Sequence, residues 1–277
     1  PKDQVACRFD ANGGIMLNAV TGPSGQGHET SFAQIVSGGL GISPDGISYR
    51  AGDPTLDLVG NGTGGSRSLY GAGSAFKNLA PEIIKKASPH AATKLGVASD
   101  AVSFADGKFS AGGKSVGLLE LAKEVAPKDK SAAHPFNAEA HTVTGANFPN
   151  GCHVAELEID PATGLTEVLS YVSVDDLGNI VSPELVKGQV HGGVVQGIGQ
   201  AFMEQIVYDE QGTLLTGNFM DYSVISSAEL PSFEVHHLET PTWVNELGAK
   251  GIGESGTVGA IPAVYNAVLD ALAPHGI

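Results

Sequence analysis

The amino-acid sequence predicts an α+β fold of two mixed units, each a sheet covered by helices on one side. Three observations lead there. Glycine-rich segments run into helical stretches at Gly25, Gly62, Gly192 and Gly251. A D-P-x-x-G turn separates the apolar-rich strands "HVAELEI" and "LTEVLSYVSVDD". Between Pro127 and Pro149, "PKDKSAAHPFNAEAHTVTGANFP" is polar and irregular and reads as a linker. The expected organisation is a first unit over residues 1–126, a linker over 127–149 and a second unit over 150–277.

Along the first unit, "GGIMLNAVTG" has β character, "PSGQGHET" is a loop and "SFAQIVSGGLG" has the apolar spacing of a short helix. "ISYRAGDPT" reads as a strand leaving into a turn. "NGTGGSRSLYGAGSAFKNLAPEIIKKASPHAATKLG" then reads as a second glycine loop opening a long helix, and "AVSFADGKFSAGGKSV" as a hairpin, from its D-G and G-G turns. In the second unit, "SPELVKGQVHGGVVQGIGQAFMEQIVYD" is helical, with a polar start and small residues on one face. "TGNFMDYSV" and "FEVHHLE" read as extended, and "GTVGAIPAVYNAVLDALA" as a closing helix.

The 277 residues are 42% hydrophobic and 6% aromatic, enough for one large or two small cores. No run of eighteen or more apolar residues occurs, and "PKDQVACRFD" lacks the pattern of a secretion signal, although the chain opens on Pro rather than Met. The formal charge of −15 argues against nucleic acid or an anionic membrane as partner. Two cysteines, Cys7 and Cys152, are too few for a disulfide framework or an iron–sulfur cluster, and both are expected to be buried small hydrophobes. The nine histidines show no H-x-x-H or H-E-x-x-H spacing, so no protein-ligated metal is expected.

"GAKGIGESGTVGA", Gly248 to Ala260, sets five glycines around one carboxylate, Glu254. That much backbone freedom suggests a chain held against something with no room for Cβ atoms. Gly251 to Gly256 formally matches G-x-G-x-x-G. The match is weak, since no following strand and acid lie at the dinucleotide interval and an internal Glu would repel a pyrophosphate. Glu254 has two readings: a capping acid for the last helix, or a general base in a tight, partly dry pocket. Gln26, Ser66, Arg67, Ser68 and Gln196 would each singly be loop or cap chemistry. Their shared setting in glycine loops favours a common ligand approached by backbone N–H groups at helix starts.

"GPSGQGHETSFAQIV", "GTGGSRSLYGAG", "VDDLGNIVSPELVKGQVHGGVVQGIGQAFME", "TGNFMDY" and "GAKGIGESGTVGAIPAVYNAVLDAL" together resemble the C-terminal molybdenum-cofactor-binding domain of the xanthine dehydrogenase/aldehyde oxidase family, most of all the carbon monoxide dehydrogenase-type large subunit. The resemblance runs through almost the whole chain in the family's order. It implies an α+β fold forming the second molybdenum-cofactor-binding domain of a molybdenum hydroxylase. It also implies that Glu254 acts as base beside the molybdenum, and that Gln26 and Gln196 hydrogen-bond the cofactor. Gly25, Gly27 and His28 accompany Gln26 in its loop. Ser66, Arg67 and Ser68 would hold the pterin or its dinucleotide tail, while Lys250, Gly251 and Gly253 line the cofactor beside the base. The metal itself would be held by the pterin dithiolene.

The implied reaction oxidises an aldehyde, N-heterocycle or similar carbon centre, by base-assisted attack of a molybdenum hydroxyl and hydride transfer to a molybdenum sulfido group. The implied cofactor is molybdenum-molybdopterin in its cytosine dinucleotide form. Expected partners are a chain or domain carrying the first molybdopterin-binding half, an iron–sulfur subunit, an FAD subunit and a small-molecule substrate, with no nucleic acid and no membrane. The expected location is cytoplasmic. The alternative is a non-catalytic cofactor-binding or assembly module that needs a partner chain. Two positions depart from the family's pattern: Gly65 stands where many relatives carry an aromatic, and Leu177 where a cysteine is frequent.

Overall fold

The structure, a computed structural model, describes residues 2–129 and 131–276; Pro1, Lys130 and Ile277, at the ends and within the expected linker, lie outside the described residues. The chain forms two compact units. The first comprises 1–146 with 242–249, the second 147–241 with 250–277.

The first unit begins with strands β1 (Lys2–Phe9) and β2 (Ile15–Ala19), helix α1 (His28–Leu40) and strand β3 (Ile47–Ala51). A π-helical turn at Leu69–Gly73 then leads into α2 (Ser74–Lys77) and α3 (Leu79–Leu95). Strands β4 (Ser103–Ala105), β5 (Lys108–Ala111) and β6 (Lys114–Gly117), helix α4 (Leu118–Val125) and strand β7 (Ala138–Val143) complete it. The main sheet has the order β3-β2-β1-β7, parallel only between β2 and β3. Its core joins Leu17 of the sheet to Phe32, Leu40, Phe76, Leu79 and Ile83 of the helices, each fully buried. Each such side chain contributes about 1.5–3 kcal/mol by leaving water.

The "AVSFADGKFSAGGKSV" stretch forms three antiparallel strands rather than one hairpin, because it contains two turns. Asp106 (φ 47°) and Gly107 (φ 72°) make the first, and Gly112 (φ 56°) and Gly113 (φ 76°) the second. Gly41 ends α1 with φ 64°, and a Cβ there would stand 2.6 Å from the Asp106 backbone. Glycine is therefore required twice over at that position.

Residues 127–149 are not only a linker. They contain β7, which pairs with β1 from Lys2↔Val143 to Cys7↔Ala138 and so belongs to the first unit's sheet. Residues 242–249 also return to this unit, where the Glu246 carboxylate accepts hydrogen bonds from Thr142 Oγ1 at 2.8 and 2.9 Å.

The second unit contains β8 (Asn150–Ile159), β9 (Thr166–Asp176), α5 (Pro183–Phe202), β10 (Phe233–Leu238) and α6 (Ser255–Leu272). The expected β8–β9 hairpin is present. Asp160 closes its turn by accepting from the Gly164 N–H at 2.7 Å and, through Oδ1, from the Ala162 N–H at 2.8 Å. The sheet has the order β10-β9-β8, with β10 parallel to β9 after the crossover through α5. Val190, Val194, Ile198, Ala260 and Val264 join Val168 and Tyr171 in its core.

The small face of α5 serves close helix packing. A Cβ at Gly197 would stand 2.7 Å from the Ala260 Cβ, and one at Gly256 would stand 2.6 Å from the Val190 carbonyl oxygen. The helix α6 is long and apolar enough by length and composition to cross a membrane, but its Gly256, Ala260 and Val264 face packs within this unit.

Three expectations change here. Gly192 lies inside α5 rather than ahead of it. "TGNFMDYSV" is a turn, because Asn218 Oδ1 accepts from the Met220 N–H at 2.8 Å and the Asn218 carbonyl from the Tyr222 N–H at 2.8 Å. Cys152 is exposed on β8, whereas Cys7 is buried in β1.

Candidate functional site

In the first unit, two glycine loops are tied together. Thr63 Oγ1 donates to the Gly22 carbonyl at 2.7 Å, and the Tyr49 hydroxyl donates to the Thr21 carbonyl in the same stretch. Gly25 (φ 92°) and Gly27 (φ 77°) occupy left-handed conformations, and Gly27 is the residue that opens α1. Between them, Gln26 Oε1 accepts from the Ser24 N–H. His28 follows as the first helical residue, buried and stacked on the Phe32 ring at 5.1 Å. Burial holds its imidazole below the usual histidine range, so it is neutral near pH 7.

The second loop is organised by an acid from β1. Asp3, 3% exposed, accepts from the Asn61 N–H at 3.1 Å and pairs with the Arg67 guanidinium at 3.1 Å. Ser66 is one of two non-glycine residues with positive φ among those described, at 55°, and Ser68 precedes the π-helical turn. The sequence reading assigned Arg67 to the cofactor and missed Asp3. The structure places the Arg67 guanidinium on that carboxylate. Gly65 has φ 62°, so here the loop is built on a left-handed glycine where many relatives of the expected family carry an aromatic.

In the second unit, Glu254 lies at the start of α6, and Gln196 of α5 reaches the first turn of the same helix. Glu254 is the residue before the helix, and its carbonyl accepts the first helical bond from the Val258 N–H at 3.0 Å. Its side chain makes no capping hydrogen bond to α6. It is exposed rather than enclosed within this chain. Gln196, exposed on α5, accepts through Oε1 from Thr257 Oγ1 at 3.2 Å, one turn into α6.

The glycines of "GAKGIGESGTVGA" have separate causes. Gly248 takes φ 68°. Gly256 is required by α5, and a Cβ at Gly259 would meet the His153 ring. The crowding inferred from sequence is thus partly crowding by the protein itself.

Ahead of Glu254, Lys250 Nζ pairs with Asp176 Oδ2 at 3.1 Å, with the side chains 12% and 9% exposed. The Lys250 N–H donates to the Leu177 carbonyl at 2.9 Å, and the Gly251 N–H to Asn147 Oδ1 at 3.1 Å. Burial opposes ionisation of Asp176. Hydrogen bonds from Thr240 and Gly178, with Lys250 beside it, nonetheless hold its carboxyl well below the usual carboxylate range. Asp176 and Asn147 were missed from sequence. The signal for Asp176 was the adjacent pair in "VDDLGN": neighbours on a strand point to opposite faces, and here both acids are buried, each on its own cation or imidazole.

This is an α+β chain whose left-handed glycine loops and helix starts present backbone N–H groups and polar side chains, a chemistry suited to a polar cofactor. Residues 1–231 match the molybdopterin cofactor-binding domain family, and the chain belongs to it. It is 37% identical over 282 residues to the nicotine 6-hydroxylase large subunit of Paenarthrobacter nicotinovorans, covering 99% of this chain and 35% of that protein. It is 34% identical over 280 residues to the carbon monoxide dehydrogenase large chain of Hydrogenophaga pseudoflava, again covering 99% and 35%. The crystal structure of quinoline 2-oxidoreductase from Pseudomonas putida 86 superposes with a TM-score of 0.84 at 32% identity, covering 98% of this chain and 36% of that one. The chain thus spans about a third of the length of these oxidoreductase subunits, and the α+β expectation holds.

The residues fit a pterin cofactor. In the second unit, Asn147 Nδ2 is a buried donor without a partner among the described residues, beside Gly251. In the first, Gly25, Gly62 and Gly65 have no atom within 4 Å of where a Cβ would stand, leaving open backbone for an acceptor-rich ligand. Among the described residues, no group of three or more His, Cys, Asp or Glu could hold a metal.

Proposed function

We propose that this chain is the part of a molybdenum hydroxylase that carries the catalytic base, acting on an aldehyde, N-heterocycle or similar carbon centre. The observation that carries the reading is Glu254, a carboxylate exposed at the start of α6, the helix whose first turn Gln196 reaches through Thr257. The cofactor is molybdopterin in its cytosine dinucleotide form, and when bound it supplies the two-electron redox chemistry at the substrate carbon. The Glu254 carboxylate takes up a proton. Gln26 and Gln196 offer side-chain amides to the cofactor, Ser66 and Ser68 offer hydroxyls and loop N–H groups, and Asn147 Nδ2 offers its buried donor. Gly251 and Gly253 keep the backbone open beside it. Arg67 and Lys250 serve by fixing these loops through Asp3 and Asp176.

Two of the relatives bear names that specify nicotine and quinoline, both compounds with an N-heteroaromatic ring, which supports an N-heterocycle within the broader class. The remaining two thirds of such a subunit would supply the first molybdopterin-binding half, with iron–sulfur and FAD subunits as electron acceptors, in the cytoplasm. Apolar side chains open to solvent in the second unit, Phe219 at 87% and Met220 at 94%, support burial against further protein.

Glu254→Gln tests the reading in the assembled protein. Molybdenum content is expected to stay near wild type while turnover falls about 10²–10⁴-fold. Parallel loss of molybdenum would favour the non-catalytic scaffold instead. Molybdenum found only when the chain is co-expressed with its partners would place the site on shared walls.

A further inference from the structure

The groups that set the backbone ahead of Glu254 lie outside its own glycine segment. Lys250 is held at both ends, its N–H on the Leu177 carbonyl at 2.9 Å and its ammonium on Asp176 Oδ2 at 3.1 Å. Gly251 is held by Asn147 Oδ1 at 3.1 Å. The other oxygen of Asp176 is separately occupied, accepting from the Gly178 N–H at 3.1 Å and the Thr240 N–H at 3.0 Å. One carboxylate therefore ties together the end of β9, the stretch after β10 and the entry to the Glu254 segment. Glycines at 251 and 253 leave that segment permissive on its own, so its direction must come from such anchors. A buried ion pair is a weak stabiliser, and its best-attested use is to fix register.

We propose that Asp176 is a positioning residue for Glu254, acting through Lys250 to fix the approach of residues 250–254 to α6. The proposal rests on the reading of Glu254 as the base. Asp176→Asn is nearly isosteric and leaves Oδ1 available to Gly178 and Thr240 while removing the charge facing Lys250.

The test uses the assembled, cofactor-loaded protein. For Asp176→Asn, kcat is expected to fall about 10–100-fold, as for a displacement of about 1 Å. KM should stay within about threefold, with unchanged molybdenum content. Backbone amide exchange over residues 251–254 should quicken. Lys250→Met should reproduce the loss, the double variant should be no worse than either single one, and Lys250→Arg should recover part of the rate. If Asp176→Asn does not accumulate, Lys250→Met carries the same comparison from the other side of the pair. A kcat within about twofold of the parent, unchanged exchange, or losses that multiply in the double variant would overturn the proposal. Glu254→Gln run alongside separates the two levels. If it retains turnover, the base assignment falls and the proposal with it; if it is inactive while Asp176→Asn is not, only the positioning role falls.

Discussion

His153 and Asp175 face one another on neighbouring strands, with His153 Nε2 3.2 Å from Asp175 Oδ2 and both side chains 5% exposed. The other ring nitrogen lies 2.7 Å from the Tyr171 hydroxyl. Ser173 is the direct partner of His153, so Tyr171 and Asp175 are its two diagonal neighbours. Burial, and then the charge of Asp175, push the Tyr171 hydroxyl above the usual phenol range. The ring is closed in by Gly259 of α6, where a Cβ would collide with it.

Gly259→Ala should therefore destabilise the protein by about 1–3 kcal/mol through overpacking. Thermal unfolding checks this. An unchanged midpoint would mean that the ring can shift at no cost.

The Lys250–Asp176 pair has an acid signature. Because the folded pKa of Asp176 is depressed, its stabilisation is fully present above its unfolded value of about 4. It is lost as the pH falls from there through the folded value. Chemical denaturation of wild type and Asp176→Asn should differ at pH 7 and draw together progressively as the pH falls below about 4. A difference independent of pH would show that charge is not what the carboxylate contributes.

Asp3→Ala should loosen the loop over residues 61–67. It leaves the Arg67 guanidinium, 15% exposed, without its partner and frees the Asn61 N–H. The expected cost is ~2–3 kcal/mol, under the ~3–5 of a fully buried pair. Limited proteolysis should then cut first within this loop, together with lower molybdenum retention. Cleavage elsewhere first would separate Asp3 from loop order.

The two thiols should differ in reactivity. Burial pushes Cys7 up to about 12, while Cys152 is exposed on β8. Iodoacetamide at pH 8, followed by mass spectrometry, should label Cys152 in the native protein and Cys7 only after unfolding. Early labelling of Cys7 would mean that β1 opens readily.

Much of the architecture was legible because it rests on local signals. The β8–β9 hairpin is written in its Asp-Pro-x-x-Gly turn, and α5 in its polar start and small-residue face. β7 was hidden because its inward residues are Ala138, Ala140 and Thr142, too small and polar to stand out. Its pairing with β1 is a long-range event that no local pattern records. Glu254 and Gln196 stood out in the sequence by their glycine setting, and α5 meets the start of α6 through glycine packing. Asp3 and Asp176 escaped because their roles depend on Arg67 and Lys250, 64 and 74 residues away along the chain.

The chain threads from the first unit to the second after Ala146, returns for residues 242–249 and leaves again at Lys250. No single cut therefore yields both units whole. A recombination event between two homologues that joins them at one point anywhere from 147 to 249 divides at least one unit between parents. Glu246 and its partner Thr142 would come from different ancestors across any such junction up to residue 245. Shuffling that takes each unit whole from a different parent therefore needs three coordinated crossovers, after residues 146, 241 and 249.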